Sequence, residues 1–158
     1  MKRQRKLDKR RRQEGKTNYH KRLILLKSET PRLVVRKTNK YITLQIVESK
    51  KAQDKVLYTV STKELLKHGW PVDKAGSLKS LSAAYLAGLL IGKKASNVKS
   101  KIILDSGLIT STKGSRVYAA VKGIADSGIE IPFDEKVIPS DKMINKYDFF
   151  DKVKEGLK

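Results

Sequence analysis

The sequence predicts a mixed α/β domain of the α+β type: a basic N-terminal arm, a three-stranded antiparallel meander, and then helix, strand, helix and strand. Three observations support this fold class. Apolar residues recur with a period of two between residues 32 and 61, they recur with a helical period after residue 61, and the first forty residues hold sixteen Lys or Arg against three acids. In a chain of 158 residues that is 39% hydrophobic, we expect a basic arm at 1–30, one globular domain at 31–132 and a C-terminal extension at 133–158.

The arm is too highly charged to fold alone. Its self-repulsion and ordering entropy oppose collapse, and it offers little apolar surface to offset them. Residues 9–29 are predicted to become helical once a polyanion neutralises them, and Pro31 ends that helix. A membrane surface would require bulky apolar residues opposite the basic face, yet residues 1–22 contain only three large apolar or aromatic side chains. The arm therefore favours nucleic acid as its partner, with an unattached solubilising tail as the alternative.

Three strands are predicted in the first half of the domain, at residues 32–36, 41–46 and 56–61. Alternate side chains of a strand point to opposite faces of the sheet, so each strand contributes an inward and an outward set. The inward set is Leu33, Val35, Ile42, Leu44, Ile46, Val56, Tyr58 and Val60. The outward set that could face RNA is polar without being acidic, and comprises Arg36, Tyr41, Thr43, Gln45, Thr59 and Ser61.

Helices and strands alternate in the second half of the domain. Ser61 and Glu64 have the spacing of a capping box, which predicts a short helix that ends at Gly69. The other elements follow in order: a nearly all-apolar buried helix at 77–92, a buried central strand at 101–105, an amphipathic helix from Gly114-Ser115 to Gly128, and a short strand at 129–131. Right-handed crossovers can place these helices mainly on one face of the sheet and leave the other face for a partner.

Two aromatic features are expected to serve packing. The cluster of Tyr147, Phe149 and Phe150 predicts that the C-terminal extension docks onto the domain. Trp70, beside a proline, is interpreted as a core plug, with base stacking as the alternative.

Two places in the domain suit RNA phosphates and sugars. The hairpin Arg36–Lys40 puts three cations and two hydrogen-bonding side chains together, and Asn39 tolerates the left-handed backbone of a tight turn. At Gly114-Ser115-Arg116 the free amides of a helix N-terminus lie beside an arginine, which is a workable phosphate site. An ordinary serine cap with an exposed arginine is the alternative there.

Other function classes find little support. The chain has no cysteine and only two histidines, so we expect no metal and no cofactor. Gly15-Lys16-Thr17 matches the end of a Walker motif, but Arg10 stands where the first glycine is required and no strand precedes it. The N-terminus lacks the pattern of a secretory signal and no apolar run is long enough to span a bilayer, so we expect no membrane partner and a cytoplasmic protein.

The element order is also that of the ribonuclease H fold, whose nucleases hold two magnesium ions between several carboxylates. Here the first strand carries Arg36 and no acid, the helix at 77–92 has no acid, and only Asp105 is suitably placed. One carboxylate cannot hold that pair of ions, so we expect this fold without catalysis.

Several stretches of the chain carry a family resemblance. They are residues 10–19 (RRRQEGKTNY), 31–40 (PRLVVRKTNK), 83–90 (AAYLAGLL), 104–108 (LDSGL), 114–123 (GSRVYAAVKG) and 128–132 (GIEIP). Across about residues 9–140 the chain resembles the large-subunit ribosomal protein L18 family in its archaeal form, the counterpart of eukaryotic L5. The resemblance implies binding of 5S rRNA within the central protuberance, contact with large-subunit rRNA and neighbouring large-subunit ribosomal proteins, and no small-molecule substrate.

The charge pattern and the resemblance together predict one set of RNA-binding residues. In the arm and at the start of the domain these are Arg3, Arg5, Arg10, Arg11, Arg12, Lys16, Thr17, Tyr19, Lys21, Arg22 and Arg32. Further along they are Arg36, Lys37, Asn39, Lys40, Tyr41, Thr43, Gln45, Thr59, Ser61, Ser115 and Arg116. An active metal-dependent nuclease of the same fold and a non-ribosomal nucleic-acid binder are the alternatives.

Overall fold

The computed structural model describes residues 7–51, 53–98 and 100–157. Its strands are β1 (Arg32–Lys37), β2 (Ile42–Lys50), β3 (Gln53–Ser61) and β4 (Ile103–Asp105). Its α-helices are α1 (Arg10–Gln13), α2 (Tyr19–Lys27), α3 (Leu81–Lys94), α4 (Arg116–Asp126), α5 (Asp141–Ile144) and α6 (Phe150–Gly156). Short 3₁₀ helices occupy Thr62–His68, Val72–Ser77 and Glu135–Val137.

The sheet has the order β3-β2-β1-β4. β1 pairs antiparallel with β2, and β2 with β3, which confirms the predicted meander and the α+β class. β4 returns parallel to β1 after the crossover through α3. It is an edge strand of three residues in this sheet, and the prediction of a longer central strand at 101–105 is therefore wrong.

The predicted last strand at 129–131 is also wrong, because the structure assigns no strand there. The segment does run beside the chain that leads into β4, and Glu130 O accepts a hydrogen bond of 2.9 Å from Ile102 N. Gly128, which has a φ of 95°, and Pro132, which lacks an N–H group, bound the segment on its two sides. Those neighbours keep the segment too short for a ladder of strand hydrogen bonds.

A bulge in β3 changes which side chains face the core. Ile46 pairs with Tyr58 but Val47 pairs with Val56, so Leu57 is an extra residue in β3. Val60 is fully buried as predicted, whereas Val56 is 48% exposed and does not join the inward set. Strict alternation from Val60 back to Val56 cannot reveal this extra residue.

α3 and α4 pack against each other on the inner face of the sheet, and two glycines permit a very close approach. A Cβ atom on Gly88 would lie 2.3 Å from Ala120 O, and one on Gly123 would lie 2.2 Å from Tyr85 O. α3 is buried on most of its surface, as predicted, although it begins at Leu81 and not at residue 77. Ser80 caps it by accepting a hydrogen bond from Ala83 N, and the preceding turn is 3₁₀.

The start of the chain forms two short helices and not one helix over 9–29. Gly15 adopts a φ of 63° between them, and this left-handed backbone interrupts a continuous helix. Asn18 then caps α2, where its Oδ1 accepts a hydrogen bond of 3.1 Å from Lys21 N. α2 has no buried residue, so its position depends on polar contacts with the domain.

The C-terminal segment packs onto the domain, as its aromatic residues predict. Trp70 is 2% exposed, and its ring meets those of Tyr147 and Phe149 edge-on at 5.8 and 4.9 Å. Its Nε1 donates to Lys74 O at 3.2 Å, so Trp70 is a core residue and is not available for base stacking. The capping box of Ser61 and Glu64 is present as predicted, although the helix that it begins is 3₁₀.

No helix in the part of the chain that the structure describes is both long enough and apolar enough to cross a membrane.

Candidate nucleic-acid interface

The strand register defines which side chains share the outer face of the sheet, away from α3 and α4. Residues paired across neighbouring strands lie on the same face. The outer set comprises Arg32, Val34, Arg36, Thr43, Gln45, Val47, Val56, Thr59, Ser61, Ile103 and Asp105. Leu33, Val35, Leu44, Ile46 and Val60 lie on the inner face and are buried in the core. The predicted division of the meander into a polar and an apolar face therefore agrees with the register, apart from the β3 bulge and Tyr41. Tyr41 lies in the β1–β2 connection and packs, partly buried, against the core.

Arg32 lies at the centre of a buried ion-pair network on this outer face. Its Nη1 donates to Asp105 Oδ2 at 3.0 Å, and its Nη2 donates at 2.8 Å both to Ser49 Oγ and to Asp54 Oδ1. Only 1% of the residue is exposed. The prediction that Arg32 contacts RNA is therefore wrong, because its guanidinium is enclosed and already bound to two carboxylates.

Arg36 extends the same network towards solvent. Its Nη1 donates to Asp105 O at 2.8 Å, and its Nη2 donates to Asp105 Oδ1 at 3.2 Å. Its side chain remains 46% exposed. Arg36 is thus at the surface as predicted, but much of its charge is directed at Asp105.

The N-terminal arm is attached to this network. Arg22 Nη2 donates to Asp54 Oδ2 at 2.9 Å, and Lys21 Nζ donates to Ser106 Oγ and Gly107 O at 3.3 and 3.2 Å. These contacts fix α2 over the end of the outer face at which β1 and β4 meet. Part of the face that the sequence predicts to be open is therefore covered by the arm itself.

A cavity of about 420 Å³, here called the first basic cavity, lies between the arm and the domain. Six cations line it, together with one carboxylate, that of Asp105; the cations are Arg11, Lys16, Lys21, Arg22, Arg36 and Lys37. Three of these pair with acids: Lys16 with Glu14, Arg22 with Asp54, and Arg36 with Asp105. The other three, Arg11, Lys21 and Lys37, form no ion pair within the described residues, so the cavity has an excess of positive charge.

The remaining predicted residues are distributed around this cavity. Thr17 is one of its lining residues and accepts a hydrogen bond of 2.9 Å from Arg11 Nε. Arg10 and Arg12 are exposed on α1 and lie 3.7 and 3.5 Å from Glu14 and Asp8. Arg3 and Arg5 lie outside the described residues.

On the sheet, the outer side chains beyond the arm remain accessible. Gln45 and Thr59 are joined by a hydrogen bond of 3.2 Å, and Thr43 lies beside them on β2. Asn39 and Lys40 are exposed in the β1–β2 connection. Ser61 serves as the cap of the following helix. Tyr19 begins α2, and Lys9 Nζ lies 4.7 Å from the centre of its ring.

Sequence reasoning missed the residues that hold the arm in place. Asp54, Ser106 and Gly107 bind Arg22 and Lys21, and none of them was predicted to belong to the site. The sequence did contain one signal for Ser106 and Gly107. Asp105-Ser106-Gly107 is a typical turn sequence, and Asp105 Oδ1 does accept a hydrogen bond from Gly107 N at 2.9 Å.

The pKa of Asp54 is perturbed by its place in the network. Partial burial raises this pKa, but hydrogen bonds from Ser49 and Arg22 and the charges of Arg32 and Arg22 outweigh that effect and hold the pKa below its ordinary value. Asp54 is therefore more stable as a carboxylate in the folded state than in the unfolded state, where an aspartate titrates at about 3.9.

A pH dependence of stability follows. The pKa of Asp54 is lower in the folded state than in the unfolded state. The stability that its carboxylate contributes is therefore fully present above the unfolded pKa and is lost as pH falls through the folded pKa. We expect urea unfolding of the wild type to lose more stability between about pH 5 and 3 than that of Asp54→Asn. Glu64 and Asp141 have lowered pKa values as well, but both residues are present in the wild type and in Asp54→Asn, so their contributions cancel in the comparison. Asp151→Asn, at an exposed position without an ion pair in the described chain, is the matched control and should follow the wild type. Equal acid sensitivity of Asp54→Asn and wild type would contradict the network.

The fold and the first basic cavity define a mixed α/β protein whose arm and sheet together present unpaired positive charge. Comparison with known proteins identifies the family. A family model described as "Ribosomal large subunit proteins 60S L5, and 50S L18" matches residues 3–102 and 93–134. The chain belongs to this family.

Individual relatives support the assignment and its archaeal type. The chain is 48% identical over 136 residues to a Korarchaeum cryptofilum protein named large ribosomal subunit protein uL18, covering 85% of this chain and 68% of that protein. It is 46% identical over 136 residues to a protein of the same name from Methanothrix thermoacetophila, covering 85% of this chain and 78% of that one. Its place is therefore the large subunit of the cytoplasmic ribosome, among rRNA and other ribosomal proteins.

Proposed function

We propose that this chain is a structural constituent of the large ribosomal subunit that binds 5S rRNA and anchors it to large-subunit rRNA in the central protuberance. The observation that carries the proposal is the first basic cavity. It joins cations from the arm to cations from β1, and three of them lack an acidic partner among the described residues. Lys and Arg side chains in such an arrangement bind the phosphates of a folded RNA.

The accessible outer sheet face adds groups that suit RNA. Thr43, Gln45 and Thr59 are neutral hydrogen-bonding side chains next to the cavity, and RNA offers 2′-hydroxyl groups and base edges to such partners. Among the described residues of this face, the carboxylate of Asp105 repels phosphate only weakly, because Arg32 and Arg36 bind it. The arm and the polar part of the sheet therefore form one RNA-binding surface.

The same carboxylate argues against the nuclease alternative. Asp105 is the acid best placed for magnesium in this fold, and both of its oxygens accept hydrogen bonds from arginines. Binding a cation there would require breaking two ion pairs. The proposal is therefore a non-enzymatic role, under which incubation of 5S rRNA with the protein and magnesium should leave the RNA intact.

Salt dependence of binding tests the electrostatic part of the proposal. Each phosphate neutralised releases counterions, so the logarithm of the binding constant should fall with the logarithm of salt concentration with a slope of about −3 to −5 if roughly five phosphates are contacted. The measurement is a fluorescence titration of labelled 5S rRNA at several salt concentrations between low and physiological values. A slope near zero would contradict phosphate binding by the cavity.

A further inference from the structure

A second cavity, of about 460 Å³, opens on the other side of the end of β1. It shares Lys37 and Ile109 with the first basic cavity, so the two are adjacent. Val35 and Ile42 from the inner sheet face, the beginnings of α3 and α4, and a C-terminal stretch that includes Lys146 surround it. We call it the second basic cavity.

Its charge is entirely positive. Lys37, Arg116 and Lys146 line it, and no Asp or Glu does. None of these three cations forms an ion pair with another residue in the ranges that the structure covers. A cavity with three unneutralised cations and no acid attracts an anion strongly.

The backbone at the cavity strengthens this attraction. α4 has eleven residues and begins here, and its N-terminal amides carry partial positive charge. Ser115 stands at the cap position but makes no capping hydrogen bond, and its Oγ is buried with no hydrogen-bond partner among the residues that the structure describes. The first turn of α4 therefore keeps both a free hydroxyl and free amide donors beside Arg116.

Besides its cations and three serines, the cavity has an apolar part that suits a base. It comprises Val35, Ile42, Leu81, Ile109, Val117 and Met143. Tyr147 lines the same cavity with its aromatic ring. Cations beside apolar and aromatic surface are the combination that proteins use for unpaired nucleotides, whose phosphates meet cations while their bases leave the stack.

We propose that the second basic cavity holds an unpaired nucleotide of the bound RNA, with its phosphodiester at Lys37, Arg116 and Lys146 and its base against the apolar lining. This inference rests on the proposed RNA-binding function and extends it. It brings the C-terminal segment into the interface and makes Lys37 the link between two RNA contacts.

The test compares two double variants in titrations with 5S rRNA. Arg116→Glu combined with Lys146→Glu changes only the second cavity, and it should weaken binding about tenfold or more and make the salt slope shallower by about 1 to 2. Lys67→Glu combined with Lys152→Glu produces the same change of net charge at exposed lysines that line neither cavity, and it should have a much smaller effect. Thermal unfolding of both proteins verifies that they are folded.

A site-specific probe gives a second readout. The chain has no cysteine, so Met143→Cys provides a unique attachment point for an iron–EDTA reagent at the cavity, and Lys152→Cys provides one elsewhere. The cavity reagent should cleave bound 5S rRNA at one unpaired stretch that the control reagent does not cut. If wild type binds 5S rRNA but the Arg116/Lys146 variant binds equally well and no such cleavage occurs, this inference is wrong while the proposed function stands. If wild type does not bind 5S rRNA, both are wrong.

Discussion

Replacing Lys21 and Lys37 by glutamate is expected to weaken binding to 5S rRNA by about 100- to 1,000-fold at physiological salt, because each replacement exchanges an attraction to phosphate for a repulsion. These two lysines are the best choice among the lining cations of the first basic cavity. One comes from the arm and the other from β1, and neither forms an ion pair with a described acid. Their replacement therefore breaks no ion pair within the described protein, although Lys21→Glu also removes the hydrogen bonds of Lys21 to Ser106 and Gly107.

The control for this variant is again Lys67→Glu with Lys152→Glu, which changes the net charge equally at positions outside both cavities. The two double variants are titrated with labelled 5S rRNA under identical conditions. Equal weakening in both would show that only total charge matters, and the assignment of the cavity as the binding site would then be rejected.

Removing the carboxylate of Asp105 should have the largest effect on stability. In Asp105→Ala the buried Arg32 loses one of its two acidic partners, Arg36 loses its one acidic partner among the described residues, and Gly107 N loses its acceptor. Breaking a buried ion pair by removing one partner costs about 3 to 5 kcal/mol when the other charge is left without compensation. Because Arg32 keeps Asp54, we expect about the lower of these figures. We expect urea unfolding to show a loss of this size.

Asp105→Asn is the informative companion variant, because it keeps the shape and an acceptor oxygen while removing the charge. Its loss of stability should be smaller than that of Asp105→Ala. If Asp105→Ala unfolds at the same urea concentration as the wild type, the network does not stabilise the fold.

The sequence predicts features that depend on neighbours within a few residues. The capping box at Ser61 and Glu64 and the apolar face of the meander are set by local spacing, and the structure confirms them. The burial of Trp70 and the docking of the C-terminal aromatic cluster were predicted as well, but the contact of Trp70 with Tyr147 and Phe149 was not.

Arg32 shows the limit of prediction from local spacing. Alternation places it correctly on the outer face, but cannot show that Asp54 and Asp105, 22 and 73 positions away in the chain, meet there and enclose it. Arg36 is affected in the same way. In Arg36→Glu the new carboxylate would face Asp105, so the substitution would disturb both folding and RNA binding. It could not separate the two effects.

The arm illustrates a second limit. Its charge predicts a segment that only a polyanion can order, yet Lys21 and Arg22 anchor α2 to the 106–107 turn and to Asp54. Composition records the excess of cations but not the few acids and carbonyl oxygens that compensate some of them. The cations without an acidic partner among the described residues, Arg11, Lys21 and Lys37, form the part of the arm and sheet that we assign to RNA.

The central claim is that this chain recognises 5S rRNA and does not bind polyanions indiscriminately. The direct measurement is a competition at physiological salt, in which the full chain is bound to labelled 5S rRNA and challenged with unlabelled 5S rRNA or with duplex DNA of equal phosphate content. The account predicts that unlabelled 5S rRNA displaces the label at a concentration at least tenfold lower than duplex DNA does, since only the folded RNA matches both the cavity and the polar sheet face. Displacement at equal concentrations would contradict it and would favour a general nucleic-acid binder.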